Sequence, residues 1–361
     1  MPLPGKPTVT TIQDVARHAD VSTSTVSNVL NGRADRMRPE TRLRVEAAIE
    51  ALQFRPSKLA QQLKTGHTPL LGLLVPSMSN PMYGFIAREV ETFAQDRFGL
   101  RLLIGSTYRD AAKEAAFFED LLSHGVRRVI VISSLADERH LERAVERGMS
   151  VMSYDRRATL GQKTGVGHVT PDNFEAARLA AHHLIAQGHQ RLAFVTVSGM
   201  TMSRSDKIAG FRAAAEAAGL SASAVVLDGG TLDEYGDSVI AEVGRATGLQ
   251  LAADPKRPTG IVALNDLMAL GLMAGLREGG LRVPEDVSVV GIDGLFLAAL
   301  SNPGLTHVQM PIREMAQAMV EAVATDGAAP REQLFSQVRL VERESVAPPP
   351  GPKKFPSKAR P

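Results

Sequence analysis

Residues 11–32, TIQDVARHADVSTSTVSNVLNG, are the stretch of this chain that decides its first domain. Apolar residues recur there at i, i+3, i+4 and i+7 from Ile12, and Thr11 is placed to cap a helix. The spacing predicts one helix over residues 12–18 and a second that begins at Ser22. Two short helices with so short a connection are typical of a helix-turn-helix.

The second predicted helix has two different faces. Val26, Val29 and Leu30 form an apolar face, whereas the opposite face carries short polar side chains. This division suits a recognition helix, because the backbone must approach base edges closely while the rear face packs on the first helix. The residues best placed to contact bases are Thr23, Ser24 and Asn28, and those expected to donate to phosphates are Thr11, Thr25, Ser27 and Asn31.

A third helix is predicted to begin near Pro39, because proline is favoured in a first helical turn. Its expected buried residues are Val45, Ala48, Ile49 and Leu52. The three helices together predict an all-α DNA-binding headpiece. An ordinary helical interaction domain is the alternative that the pattern leaves open.

The composition limits the function classes. The 361 residues predict about two to three domains, and the absence of cysteine excludes disulfides, Cys-ligated zinc, iron–sulfur clusters and thiol catalysis. Apolar runs such as Leu70–Val75 are far shorter than the roughly 20 residues of a membrane span. The first residues hold no apolar stretch of signal-peptide length, so we expect a cytoplasmic protein.

The formal net charge of +2 is unevenly distributed. Residues 1–66 carry a net +4 and the last eleven residues another +4, which leaves −6 for residues 67–350. Such asymmetry indicates a basic nucleic-acid-binding end on an acidic body, although a solvated charged surface has the same composition.

From Leu70 onward, strand-length apolar runs alternate with helix-length amphipathic stretches. The predicted strands are Leu70–Val75, Arg101–Ile104, Val129–Ile132, Val151–Tyr154, Leu192–Val197, Val225–Leu227, Ile261–Leu264 and Val287–Ile292. This alternation predicts an α/β body of two doubly wound parallel sheets, with ligands bound beyond the carboxyl ends of the strands. Residues 347–361, with six prolines, are predicted to be a disordered basic tail.

The headpiece motif resembles that of the LacI/GalR family of transcription regulators, whose pattern is close to T-I-x-D-V-A-x-x-A-G-V-S-x-x-T-V-S-x-V-L-N. The matching residues are Thr11, Ile12, Asp14, Val15, Ala16, Ala19, Val21, Ser22, Thr25, Val26, Ser27, Val29, Leu30 and Asn31. The likeness continues through residues 40–66 and GLLVPSMSNPMY (72–83), and covers roughly residues 10–345.

Two headpiece residues depart from the family pattern. Asp20 replaces the usual turn glycine, and aspartate tolerates a left-handed backbone better than most residues. Asn28 replaces an arginine common in the family, which predicts a preference for adenine where arginine would read guanine. Residues 56–66 are similar to the family's hinge helix, in which Leu63 would enter the minor groove and Ala60 would let two hinge helices approach.

The body resembles the periplasmic-binding-protein-like effector domain of the same family, on the motifs SNPMY (79–83), SYDRR (153–157), PDN (171–173), GHQRLAFV (188–195), AGF (209–211), ALNDLMALG (263–271) and VPEDVSVVGIDG (283–294). The resemblance implies a small, sugar-like effector bound by Met82, Tyr83, Ser133, Asp155, Lys207, Asn265, Asp293 and Gln309. Lys207 stands where the family has an arginine, and Arg204, one helical turn earlier, is the candidate substitute. Leu-Thr-His at 305–307 replaces the family's Leu-Thr-Thr.

The resulting hypothesis has four segments: a headpiece (10–55), a hinge (56–66), a two-lobed effector and dimerisation domain (67–346) and the tail (347–361). It is a homodimeric regulator, a repressor, that binds a pseudo-palindromic operator in double-stranded DNA and responds to a small effector. A solute-binding protein and a sugar-acting enzyme are the alternatives. No GxxxxGK[ST], GxGxxG or HExxH motif occurs, and we predict no catalytic residues, no cofactor and no metal site.

Overall fold

The computed structural model of the protein describes residues 10–30, 33, 37–54, 69–108, 110–132, 137–155, 165–199, 201–230, 239–325 and 333–351. The chain divides into two compact units, residues 1–68 and 69–361. The predictions for Asn31, Ala60, Leu63 and the hinge segment, for Ser133 and for the tail from residue 352 lie outside the described residues. The first residue of the predicted disordered tail, Ala347, is instead held by hydrogen bonds with Ser288 and His189.

The headpiece contains the three predicted helices, α1 (Ile12–His18), α2 (Thr23–Leu30) and α3 (Pro39–Ala51). They pack around Val15, Val26 and Val45, which are fully buried, with Ala48 beside them. Ile49 and Leu52, also predicted to be buried, are half-buried at the edge of this core. The turn between α1 and α2 passes through Asp20 with φ +51°, so aspartate does occupy the left-handed position as expected.

A reciprocal cap closes the start of α1. The Asp14 amide donates to the Thr11 hydroxyl (3.3 Å), and the Thr11 amide donates to the Asp14 carboxylate (2.9 Å). Hydrogen bonds from the Thr11 hydroxyl and amide are the main cause that holds the pKa of Asp14 below its usual range. A carboxylate whose pKa is lower in the folded state stabilises that state above its unfolded pKa, and this contribution is lost as the pH falls.

We therefore expect the α1 amides of the full chain to exchange faster with solvent as the pH falls below about 4, beyond the intrinsic pH effect. Asp14→Asn should abolish this extra pH dependence, and Thr11→Ala should destabilise the headpiece by about 1 kcal/mol through loss of the cap. Hydrogen exchange of the α1 peptide measures both effects, with Glu50→Gln, an exposed carboxyl on α3, as the control. An unchanged pH profile in Asp14→Asn would contradict the assignment.

The body contains two six-stranded sheets, one in each lobe. The strands are β1 (Leu70–Val75), β2 (Arg101–Ser106), β3 (Arg128–Ile132), β4 (Ser150–Tyr154), β5 (Gly167–Pro171), β6 (Leu192–Thr196), β7 (Ala224–Asp228), β8 (Gly260–Ala263), β9 (Ser288–Asp293), β10 (Thr306–Gln309), β11 (Gln333–Phe335) and β12 (Arg339–Val341). The first-lobe order is β11-β5-β4-β3-β1-β2, all parallel, and the second-lobe order is β12-β10-β9-β8-β6-β7, with only β12 antiparallel.

The helices of the body cover the faces of these sheets. They are α4 (Pro81–Phe98), α5 (Ala111–Ser123), α6 (Arg139–Glu146), α7 (Asn173–Ala186), α8 (Met202–Ala217), α9 (Val239–Ala253), α10 (Asp266–Glu278), α11 (Leu297–Leu300) and α12 (Ile312–Ala324). The predicted fold class, two doubly wound lobes after a helical headpiece, is confirmed. None of the helices in the described residues combines the length and the hydropathy that a transmembrane span requires.

All eight predicted strands are present, but the prediction of about eight was too low because β5, β10, β11 and β12 were missed. β5 (GHVTP) and β10 (THVQ) contain histidine, threonine, proline or glutamine, so neither forms an apolar run. Both are nonetheless almost wholly buried, since helices and neighbouring strands enclose them.

The chain crosses between the lobes three times. The first crossing follows β5, since the next helix, α7, already packs against β8, β9 and β10 of the second lobe. The chain returns between β10 and α12, which packs on α4, and β11 then extends the first sheet beside β5. The third crossing, residues 335–339, leads to β12 in the second sheet. The three crossing segments are therefore residues 171–173, 309–312 and 335–339.

Candidate DNA-binding and effector sites

The outer face of α2 presents the residues predicted to contact bases. Thr23, Ser24 and Asn28 are exposed, whereas Val26 on the opposite face is fully buried. The Ser22 hydroxyl accepts from the Thr25 amide (3.2 Å) and therefore caps the helix. Short side chains thus cover a rigid, capped helix face, which is the geometry that entry into a major groove requires.

The residues predicted to contact phosphate differ from one another in their exposure and their hydrogen bonds. The Thr11 hydroxyl lies 2.6 Å from the Asp14 carboxylate, and the Thr25 hydroxyl 2.9 Å from the Ser22 hydroxyl, so both take part in helix caps. The Ser27 side chain is half-buried. The Thr11 hydroxyl donates its one hydrogen to Asp14, so a contact from this hydroxyl to phosphate requires that hydrogen bond to be exchanged.

A cleft between the two lobes of the body lies beyond the carboxyl ends of the strands. Its cavity has a volume of about 110 Å³. The residues that line it are Pro76, Asn80, Met82, Tyr83, Ile132, Tyr154, Asp155, Pro171, Asn173, Thr201, Ser203, Arg204, Lys207, Ile240, Leu264, Asn265 and Asp293. A water-sized group takes roughly 10–15 Å³ of such space, so the cavity has room for a molecule of pentose or hexose size.

The cleft brings together seven of the nine predicted effector residues: Met82, Tyr83, Asp155, Arg204, Lys207, Asn265 and Asp293. Gln309 is not among the lining residues, and its side-chain oxygen accepts hydrogen bonds from Arg339 (2.8 and 3.1 Å). Ser133 lies outside the described residues.

The acidic residues of the cleft come from different lobes. Asp155 directly follows β4 and has φ +64°, and Asp293 ends β9 with φ +146°. Burial is the main cause that raises the pKa of the Asp155 carboxyl, although the charge of Lys207 and hydrogen bonds from Ser203 and Asn173 oppose it. The Asn173 amide donates to this carboxyl at 2.8 Å.

Burial and the neighbouring charge of Asp155 also raise the pKa of Tyr154 well above its usual value. Its phenol therefore stays protonated at neutral pH and can donate a hydrogen bond. The cleft consequently offers both donors and acceptors within a partly apolar wall, which is the usual composition of a small-molecule site.

The two basic residues of the cleft are held by backbone carbonyls. The Lys207 ammonium is buried and donates to the Leu264 carbonyl (3.2 Å). The Arg204 guanidinium donates to the carbonyls of Ser198 and Gly199 in the loop after β6. Both cations are thereby anchored within the second lobe.

Two family models match this chain: residues 11–57 match the bacterial regulatory proteins of the lacI family, and residues 181–346 match the periplasmic binding protein-like domain. The HTH-type transcriptional regulator GalS of Salmonella typhimurium is 33% identical over 93% of this chain and 96% of that protein. The HTH-type transcriptional repressor PurR of Aliivibrio fischeri is 31% identical over 93% of this chain and 98% of that protein. The chain belongs to the LacI family.

Solved structures support the same conclusion over nearly the whole LacI-family chain. The lac repressor dimer bound to operator and the anti-inducer ONPF has a TM-score of 0.79 and 26% identity, covering 94% of this chain and 100% of that chain. The complex of the transcriptional regulator CelR with cellobiose has a TM-score of 0.65 and 26% identity, covering 93% and 99%.

Family membership decides between the function classes considered from sequence. This LacI-family protein is a DNA-binding transcriptional regulator with an effector-binding domain, and the relatives are regulators, not enzymes. The alternatives of a solute-binding protein or a sugar-acting enzyme are not favoured. Among the described residues, no group of three or more His, Asp or Glu side chains is arranged to hold a metal ion.

Sequence reasoning missed several lining residues, of which five carry side-chain hydrogen-bonding groups: Asn80, Tyr154, Asn173, Thr201 and Ser203. Asn80 caps α4 through the Met82 amide (3.0 Å) and Asn173 orients Asp155. Three of the five, Asn80, Tyr154 and Asn173, lie inside the quoted motifs SNPMY, SYDRR and PDN, so their position near strand ends was the available clue.

Proposed function

We propose that this LacI-family regulator is a homodimeric repressor whose operator affinity changes when a sugar or similar polyol binds between the lobes of its body. The observation that carries the proposal is the cleft, in which hydrogen-bonding side chains from both lobes surround a sugar-sized cavity. Its location in the cytoplasm is part of the proposal.

The chemistry of the cleft suits a neutral polyol. The carboxylates of Asp155 and Asp293 and the amide of Asn265 accept hydrogen bonds from hydroxyl groups. Lys207 and Arg204 supply two positive charges that balance these two carboxylates, so a charged ligand would gain little. Tyr83 adds an aromatic surface for the apolar face of a sugar ring. The cellobiose bound by CelR is a ligand of this class.

The positions of these groups give the effector a way to change the conformation. A ligand that bonds to Asp155 of the first lobe and to Asp293 of the second stabilises one relative orientation of the lobes. It shifts the equilibrium only by its differential affinity for the two states, for which about 1–3 kcal/mol of coupling is typical. Operator affinity should therefore change by about 5-fold to 150-fold on binding.

Exposed apolar side chains support the proposed homodimer. Leu103 and Ile104 are exposed on β2, an edge strand of the first sheet, and Phe296 and Leu300 are exposed in the second lobe. An apolar edge strand left open to solvent is prone to uncontrolled pairing, and a subunit interface protects it. Two headpieces related by a two-fold axis would then bind the two half-sites of a pseudo-palindrome.

The proposal is tested with an operator selected from random DNA and a panel of sugars screened by thermal unfolding. We expect at least one sugar to raise the melting temperature and to change the mobility shift of the operator complex. Asp293→Asn should lose the sugar response through loss of a hydrogen-bond acceptor, whereas Glu216→Gln, an exposed carboxyl on α8, should retain it.

Each part of the proposal has its own contradictory result. Failure to enrich any DNA sequence contradicts the operator-binding part, and an unaltered melting temperature with every sugar contradicts the polyol part. A sugar that is chemically converted on incubation with the protein would favour the enzyme alternative.

A further inference from the structure

One buried carboxylate outside the cleft wall controls the backbone next to Asp293. Asp266, the first residue of α10, is fully buried. Its Oδ2 atom accepts hydrogen bonds from the amides of Gly294 (3.0 Å) and Leu295 (2.8 Å). Because Asp293 and Gly294 both have positive φ, the turn they form needs such a tether to persist.

His307 on β10 lies on the other side of this carboxylate. Its Nδ1 atom is 3.3 Å from Asp266 Oδ2, and both side chains are almost completely buried. Arg343 approaches the opposite ring nitrogen, with Nη1 at 3.5 Å from Nε2. Since a guanidinium can only donate, Nε2 is the acceptor in this contact, and Nδ1 of a neutral ring carries its proton towards Asp266.

The Asp266 and His307 side chains contain unused hydrogen-bonding capacity. Neither Asp266 Oδ1 nor His307 Nδ1 makes a hydrogen bond of good geometry with the described residues. A buried donor beside a buried acceptor costs free energy until the two align. Asp266 Oδ2 already accepts hydrogen bonds from two backbone amides, and His307 Nδ1, 3.3 Å away, is a third donor that this carboxylate can use when the turn moves.

The same strand connects the effector-site turn to a crossing between the lobes. The Met310 amide donates to the Asp293 carbonyl (3.1 Å), and residues 309–312 form the second crossing segment. Arg343 follows β12, the strand reached by the third crossing, and donates to the Leu305 carbonyl (3.1 Å). Asp266, His307 and Arg343 therefore link the turn at residues 293–295 to the second-lobe ends of two crossings.

We propose that Asp266 and His307 form a positioning pair, which holds Asp293 at the effector cleft and couples movement of residues 293–295 to the crossing at residues 309–312. The inference rests on the proposed function only in taking Asp293 as an effector contact. His307 is one of the residues that depart from the family pattern, so this coupling is a property of this chain's own sequence.

The test is hydrogen exchange of the full-length protein without any sugar, comparing the wild type with His307→Asn and His307→Leu. Leucine removes the donor, so the Gly294, Leu295 and Met310 amides should exchange at least about tenfold faster. Asparagine can place an N–H near the position of Nδ1, so exchange should stay within about threefold of the wild type. Peptides from β8 and from the first-lobe strands serve as internal references.

If both variants accelerate exchange equally, or if β8 accelerates by the same factor, His307 is an ordinary core residue and the proposal is overturned. Should His307→Leu fail to fold, Arg343→Met gives the same test. Without Arg343 the ring can move its proton to Nε2 and present a lone pair to Asp266, so the turn amides should again exchange about tenfold faster. Unchanged exchange in that variant overturns the proposal. Because no sugar is used, a failed sugar screen does not affect this result.

Discussion

Replacing Gly271 by alanine is expected to destabilise the second lobe by about 3 kcal/mol. Gly271 lies on α10, where this helix meets α9, and a Cβ atom there would stand 1.9 Å from the Ala241 carbonyl oxygen. The clash is with backbone, so no side-chain rotation can relieve it. A glycine-to-alanine change inside a helix normally stabilises by about 0.5–1 kcal/mol, and the clash must exceed that gain.

The surroundings of Gly271 leave little room for adjustment. Gly244 and Gly248 of α9 and Gly275 of α10 have the same property, since a Cβ atom at each would lie within 2.5 Å of a carbonyl oxygen on the facing helix. The two helix backbones are thus in close contact along their length. Moving them apart would open voids beside Met268 and Leu272, which are fully buried.

Thermal unfolding of the full chain measures the effect, and we expect the transition of the body to fall by roughly 6–12 °C. Gly84→Ala is the matched control, because Gly84 lies in helix α4 with nothing within 4 Å of its Cβ position. That variant should melt at the wild-type temperature or slightly above it. If the melting temperature fell equally in both variants, a methyl group at residue 271 would cost no more than one at an unobstructed position, and the predicted clash would be contradicted.

Sequence patterns predict the bounds of individual strands better than they predict the contacts between distant elements. Strand β1 is an apolar run and β9 contains one, and their bounds were predicted almost to the residue. The return of the chain to the first lobe, which places α12 and β11 there, was not predicted, because it depends on contacts between residues far apart in sequence. Periodicity reports which face of an element is buried but not which partner buries it.

In the effector site, too, the residues at strand ends could be predicted, whereas the contacts between distant strands could not. Residues at strand ends, such as Asp155 and Asn265, could be predicted because parallel topology brings those ends together. Gln309 also ends a strand, yet Arg339 on the neighbouring antiparallel strand β12 takes its side-chain oxygen. Strand β12 was not predicted, so neither was this competing contact. The link from His307 to Asp266 was missed for a similar reason, since β10 contains no apolar run.

Asn28→Arg is expected to change the operator sequence that the protein prefers. Asn28 is exposed on the outer face of α2, one helical turn after Ser24. Asparagine pairs in bidentate fashion with adenine and arginine with guanine, and a good pair contributes about 1–3 kcal/mol of discrimination. In a homodimer the substitution acts in both half-sites, so the two operators should differ by about 2–6 kcal/mol, or roughly 30-fold to 10⁴-fold in affinity.

Selection from random DNA with each variant measures the preference. We expect guanine to replace adenine at one position, placed symmetrically in the two half-sites, with the other positions unchanged. Asn28→Ala is the control: it should lose the adenine preference without gaining one for guanine, which separates base recognition from general damage to the headpiece.

The added positive charge provides a competing explanation that the same experiment excludes. An arginine that contacts phosphate would strengthen binding to every sequence and steepen the dependence of affinity on salt by about one charge per headpiece. An arginine that reads guanine strengthens binding to one sequence only. Tighter binding at a steeper salt slope, with the selected sequence unchanged, would therefore show that residue 28 faces the DNA backbone and contradict its assignment as a base contact.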